Sequence, residues 1–267
     1  MASTDPLPDP VVPANLYDEE YYRHWCAGYE EWSASDGRRV AGIYPGALAR
    51  AGLRPGEVLV DIGTGRAEML AVAVEMGAKR ALGVEYSATA VEMGRRTLEA
   101  HGVTDRAEIL EVDARRMPIP DGTADLVTMV DVVEHLSPEE LDETLREARR
   151  VLKRGGRVFV HTMPNASIYR TTYRVQRALM PSRKRTWPRD PRNEYERRMH
   201  VNEQTLPALR RSLRRAGFRR VRVRLGQWVY ADFVPDARAR ALYRRLAAIP
   251  FLRRYGIGDL FGKGVKP

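Results

Sequence analysis

Between residues 57 and 165 the chain alternates short runs rich in valine, isoleucine and leucine with longer segments of helical periodicity. The runs 58–62, 80–84, 107–111, 124–130 and 157–162 read as strands, because they are short, apolar and bounded by turn residues. The segments 67–76, 88–101 and 138–152 read as helices, with apolar residues three and four positions apart. Ser137, with Glu140 three residues on, is a capping-box signature for the last of them, and Lys153-Arg154-Gly155-Gly156 gives it a basic, glycine-marked end. Alternating strands and helices predict βαβ units. The expected fold class is α/β, a Rossmann-like, seven-stranded, mostly parallel sheet sandwiched by helices.

Outside this stretch the rhythm changes. Residues 1–16 are rich in proline, aspartate and small side chains and predict a flexible tail. From 17 to 52, Tyr17, Tyr21, Tyr22, Trp25, Tyr29 and Trp32 recur at helical steps. They predict a helical lid, whose stripe either packs a core or covers a ligand. Residues 166–200 read as an insert after strand five, an amphipathic stretch (168–180) followed by a basic, proline-punctuated loop (181–191). In 201–267 we expect a helix at 203–216, a hairpin of strands 219–225 and 227–233, a helix at 235–248 and a glycine-rich tail. The whole of 17–267 is then one domain around a core at 55–165.

Composition narrows the class. No apolar run reaches the roughly 20 residues of a membrane span, and no signal-peptide pattern opens the chain. A single cysteine, Cys26, fits a reducing compartment, so a cytoplasmic protein is expected. The net charge of +10 invites a nucleic-acid partner. Only five of the 45 basic residues are lysine, however, a skew that GC-rich codons produce without selection for binding. Nucleic acid is not favoured.

The chemistry gathers at strand ends. Asp61-Ile62-Gly63-Thr64-Gly65 closes the first strand and opens a helix, which places a tight glycine turn at the sheet edge where open α/β folds bind ligands. Twenty residues beyond Gly65, Glu85 ends the second strand, where a carboxylate can accept from both hydroxyls of a ribose. The third ends at Glu111-Val112-Asp113-Ala114. There Asp113 can accept from an adenine amino group and the Ala114 N–H can donate to a ring nitrogen. Acids after strands two and three together describe an adenosine pocket, and a dinucleotide does not need the second.

The ordered set Val58-Leu-Val-Asp-Ile-Gly-Thr-Gly65, Gly83-Val-Glu-Tyr86, Val112-Asp-Ala114, Ala124-Asp-Leu-Val-Thr-Met-Val-Asp-Val-Val-Glu-His135 and Leu152-Lys-Arg-Gly-Gly156 resembles the class I S-adenosylmethionine-dependent methyltransferases of the small-molecule type. The resemblance implies S-adenosyl-L-methionine as cofactor. It implies that Asp61, Gly63 and Gly65 hold the methionine end, Glu85 the ribose, and Asp113 and Ala114 the adenine, with Tyr86 and Asp131 completing the cofactor-binding set. Ala67 stands where many relatives carry a third glycine. The implied reaction is methyl transfer to an O or N of a small-molecule acceptor, a natural product, sugar or lipid-linked precursor, anionic where the arginines of 174–192 meet it. Those arginines equally suit an anionic lipid surface.

His135 has three readings: a residue that orders the loop beneath the cofactor, a general base, or a metal ligand. Asp131, Glu134 and His135, joined by His200, resemble the Mg²⁺- or Mn²⁺-binding strip of small-RNA 3′-terminal 2′-O-methyltransferases and of some ubiquinone-pathway O-methyltransferases, although Asp131 is shorter than the glutamate typical there. A metal-dependent RNA 2′-O-methyltransferase is therefore an alternative, and a non-catalytic adenosine-binding domain is another. His161, at the end of strand five, is expected to face the transfer site as a second catalytic candidate. No function attaches to His24 or His101.

Overall fold

The computed structural model describes residues 6–179, 188–226, 237–255 and 257–267. Five parallel strands, β1 (Val58–Ile62), β2 (Arg80–Glu85), β3 (Ala107–Glu111), β4 (Ala124–Val130) and β5 (Leu152–Thr162), are joined by β6 (Arg219–Gly226) and β7 (Asp259–Val265) in the order β3-β2-β1-β4-β5-β7-β6. Only β7 runs against the others. The expected Rossmann-like, seven-stranded sheet is thus what forms.

Alternation along the strands builds two cores. Val60, Ile62, Val127, Met129, Val158 and Val160 face one way, onto helices α6 (Pro138–Val151) and α9 (Leu206–Arg215). Leu59, Leu126 and Phe159 face the other, onto α3 (Ile43–Ala51), α4 (Glu68–Glu75) and α5 (Ala88–Ala100). Each of these large side chains, fully buried, stabilises the fold by roughly 1.5–3 kcal/mol before conformational entropy is counted. Ser137 and Glu140 make the capping box at the start of α6. The chain order reverses between β1 and β4, so the crevice beyond their carboxyl ends is the switch point at which such sheets bind ligands.

Two expectations for the chain's ends need correction. Within the predicted loose tail, Val12 is buried, the Pro8 carbonyl accepts from Arg115 (2.7 Å) and the Val11 N–H donates to Glu140 (2.8 Å). Charged side chains of the core satisfy the backbone groups that a proline-rich segment cannot pair within itself. The predicted C-terminal hairpin also differs, because β6 pairs with β7, which forms in the supposed glycine-rich tail, while the run 227–233 lies outside the described residues. Glycine at 262 and 264 lets that strand pack closely: a Cβ on Gly264 would stand 2.8 Å from Phe218.

The lid is three short helices, α1 (Glu19–Trp25), α2 (Tyr29–Ala34) and α3. After strand five, a π-helical turn (Ile168–Tyr173) runs into α7 (Arg174–Leu179). The basic loop at 181–187 lies outside the described residues, and α8 (Glu194–Met199), capped by Asn193 and Glu196, follows it. A final helix, α10 (Ala237–Ala248), and a 3-10 turn (Pro250–Tyr255) precede β7.

Candidate active site

A cavity of about 670 Å³ opens beyond the carboxyl ends of β1, β2 and β4. Asp61, Gly63, Gly65, Glu85, Tyr86, Asp131, Glu134, His135 and His200 all line it. Asp113 and Ala114 line an adjoining space of about 50 Å³, which shares Gly63, Glu85, Tyr86 and His135 with the larger one. The carboxylates predicted from strand ends are therefore together in space.

The turn after β1 is set by backbone conformation. Gly63 and Gly65 have φ of +68° and +53°, and a Cβ on Gly63 would lie 2.4 Å from Val132 Cγ2. Ala67, where the resemblance leads one to expect a third glycine, sits at φ +56°. It is accommodated by Gly94 of α5, where a Cβ would come within 3.1 Å of the Ala67 methyl.

Glu85 is buried, and both of its oxygens accept from backbone amides. One oxygen accepts from the Tyr86 and Ser87 amides (2.9 and 3.0 Å), and the other from the Gly65 amide (3.0 Å). Burial pushes its carboxyl up, and these three amides pull it back. Asp113 is gripped by the Arg115 guanidinium (2.7 Å), which in turn holds the tail through Pro8. Tyr86 donates its hydroxyl to the Val12 carbonyl (2.9 Å), and Pro10 and Val12 of the tail wall the smaller space beside Asp113.

Burial raises the Asp61 carboxyl to about 7, against the hydroxyls of Thr128 (2.6 Å) and Thr64 that lower it. In an unfolded chain aspartate titrates near ~3.9. Between these values the folded chain holds a proton that the unfolded chain has lost, so stability declines as pH rises from about 4 to about 7. Asp61→Asn, which cannot ionise, is expected to melt above the wild type at pH 8 and to lose most of that advantage at pH 5. Thermal unfolding at both values checks this, and an unchanged difference contradicts it.

Three of the four proposed metal ligands meet. Glu134, His135 and His200 each place a ligand atom within 4.8 Å of the others, and the two imidazoles pack edge to face at 4.9 Å. Asp131 is outside this group. Burial, together with the charge of His200, holds His135 well below the ordinary imidazole range, and its Nδ1 has no hydrogen-bond partner among the described residues. Burial opposes charge on His200 as well, but Glu203, Glu134 and Glu196 raise it overall. Burial and Asp131 push Glu134 up to about 7, although it accepts from the Thr162 hydroxyl at 2.7 Å.

His161 does not reach the cavity, which corrects its expected catalytic place. It is fully buried against Phe261, with Nδ1 2.8 Å from Asp131 and Nε2 3.1 Å from Asp259. Burial works against its charge, yet the two carboxylates raise it to about 10. Strand five alternates its faces, and His161 shares the inward register of Phe159. Its place is behind Asp131, which sits at φ +55° on the cavity wall.

The sequence reading missed Arg66. Its guanidinium pairs with Glu68 (2.7 Å), donates to the Ala27 carbonyl (2.7 Å) and lies 5.6–6.0 Å from the ring centres of Tyr22, Tyr29 and Trp32. An arginine one residue past the glycine turn carries no sequence signal of its own. It couples that turn to the lid.

A glycine-flanked turn, with the Asp61 and Glu85 side chains facing a cavity that aromatic rings also line, suits a cationic ligand that carries a ribose. The fold and the site are similar to those of the class I S-adenosylmethionine-dependent methyltransferases. Residues 60–160 match the family described as "Methyltransferase domain". The chain is 29% identical over 132 residues to sterol 4-C-methyltransferase strm-1 of Caenorhabditis elegans, a match covering 46% of this chain and 39% of that protein. It is 34% identical over 112 residues to the demethylmenaquinone methyltransferase of Symbiobacterium thermophilum, covering 41% and 44%. The chain thus spans less than half the length of these curated relatives. Its fold is like that of a chain in the complex of the Haloferax volcanii Trm112 methyltransferase activator with a methyltransferase, with a TM-score of 0.62 at 18% identity over 98% of this chain and 100% of that one.

Proposed function

We propose that the protein transfers the methyl group of S-adenosylmethionine to an apolar small molecule. The observation that carries this reading is the cavity wall. Tyr17, Tyr21, Trp25, Tyr169, Tyr173 and Tyr195 line it together with Met69, Met163 and Met199, beside the polar Asp131, Glu134, His135 and His200. Such a wall binds by area and shape. The relatives named for sterol and demethylmenaquinone support an apolar acceptor, and the sterol enzyme's name adds carbon to the oxygen and nitrogen expected from the sequence. A cytoplasmic setting stays part of the proposal.

When bound, the cofactor supplies an electrophilic sulfonium methyl. The chain's part is to bind, align and exclude water. Asp61 and the Gly63–Gly65 turn are assigned to the methionine end, Glu85 to the ribose, Asp113 and Ala114 to the adenine, and Tyr86 to the adenosine wall. The aromatic lid keeps water from the acceptor. His135 is the proposed proton acceptor. Its basicity is low, so it matches a phenol or enol better than an aliphatic alcohol.

Glu85→Gln is expected to weaken S-adenosylhomocysteine binding by about 1.5–3 kcal/mol, the scale of a hydrogen bond to a charged group. Calorimetry measures it, and unchanged affinity would remove Glu85 from the ribose.

A second reading rests on Glu134, His135 and His200, whose mixed oxygen and imidazole set suits Mg²⁺ or Mn²⁺. An ion held there would acidify an acceptor hydroxyl. One experiment separates the two: transfer of labelled methyl to phenolic and isoprenoid acceptors, and to RNA, with and without excess chelator. The main reading expects methylated small molecules at an undiminished rate in chelator. Methylation of RNA alone, lost in chelator and restored by Mg²⁺, would replace it with the second.

A further inference from the structure

The helical segment that walls the cavity has an outer side unlike the rest of the surface. Tyr169 and Tyr173 of the π-helical turn point into the cavity, while Val175 and Leu179 of the α7 helix that continues it are 56% and 76% exposed. The Thr172 hydroxyl donates to the Tyr255 carbonyl (2.7 Å), bringing the 3-10 turn Pro250–Tyr255 against this segment. That turn and the residue that links it to α10 add Phe251, 77% exposed, and Ile249, 39% exposed. Four of the seven large exposed apolar side chains among the described residues therefore fall on two adjoining segments.

Charge tells what would cover them. Residues 168–179 and 241–255 contain no aspartate or glutamate, and Arg170, Arg174, Arg244, Arg245 and Arg253 are exposed among the apolar side chains. Protruding aromatic and aliphatic side chains set among arginines, on two segments that carry no carboxylate of their own, are complementary to an interface of acyl chains beneath anionic headgroups. A nucleic acid would use the arginines and leave Leu179 and Phe251 in water.

We propose that this face, formed by α7, the end of α10 and the 3-10 turn, docks the protein on an anionic lipid bilayer. The contact is peripheral: among the described residues no helix is long and apolar enough to cross a membrane. Arginine side chains meet the headgroup phosphates, and Leu179 and Phe251 enter the acyl boundary. The cavity wall then stands directly against the membrane surface.

The test is flotation of the full chain with vesicles of phosphatidylcholine, with and without one third phosphatidylglycerol, in the absence of cofactor and acceptor. Binding to the anionic vesicles is expected, falling as salt rises. Leu179→Ser with Phe251→Ser, both solvent-facing, is expected to lower the vesicle partition coefficient by about tenfold or more. Arg244→Glu with Arg245→Glu should lower it specifically for anionic vesicles. Unchanged far-UV circular dichroism and S-adenosylhomocysteine affinity show that the variants are folded. No flotation of the wild type, equal binding to neutral vesicles, or wild-type binding by the serine variant would overturn the proposal. Displacement from the vesicles by an equal mass of RNA would overturn it in favour of a nucleic-acid surface. None of these outcomes depends on which acceptor is methylated.

Discussion

Arg66→Ala is expected to destabilise the chain by about 3–5 kcal/mol, the scale for breaking a buried ion pair. The Arg66 and Glu68 side chains are 2% and 1% exposed, so removing the guanidinium leaves a carboxylate with almost no access to water. Glu68 would keep the Ala41 amide and the Tyr44 hydroxyl, at 3.0 and 3.2 Å, which soften the loss. The Ala27 carbonyl would lose its donor, and Tyr22, Tyr29 and Trp32 the cation packed between them. Urea unfolding measures the cost. Arg66→Ala with Glu68→Leu, which removes both charges, should recover part of it. A loss under about 1 kcal/mol for the single variant would show the pair to be solvated and the lid held by other contacts.

His161→Leu is the second large effect, again about 3–5 kcal/mol. It strips the cation from Asp259, which is 1% exposed, and from Asp131 on the cavity wall. The pH dependence has a definite sign. His161 is raised to about 10, above the ordinary imidazole value near ~6.5, so its contribution is complete below about pH 6.5. It is lost progressively as pH rises through about 10. The gap between wild type and variant should therefore be widest at pH 6 and narrow towards pH 10. A gap independent of pH would mean that the imidazole acts only by packing on Phe261. Turnover should fall too, because Asp131 loses the group that orients it.

The sheet and the cofactor edge were legible because their rules are local. Alternating apolar runs, the Gly63–Gly65 turn and acids at the ends of β2 and β3 need only the chain order to place them. Rossmann-like topology then brings those ends to one crevice. His161 was misplaced because position along a strand tells which end a residue is near. Which face it takes depends on register, and one residue changes the face. The tail was misread for another reason. Its composition does exclude an independent core, but it gives no sign that Arg115 and Glu140 satisfy its backbone. β7 escaped notice because Gly262 and Gly264 lower strand propensity, although the close approach of Phe218 and Leu213 is what requires them. The acceptor wall combines three distant stretches, the lid, the segment after β5 and α8, and no spacing rule links them.

S-adenosylmethionine is proposed to bind in the crevice at the ends of β1, β2 and β4. Isothermal titration of the ligand-free protein with S-adenosylhomocysteine tests it most directly. One site per chain with micromolar affinity, weakening as pH falls below about 7 while Asp61 takes up its proton, is the predicted result. Absence of heat and of any thermal shift at millimolar ligand would contradict it.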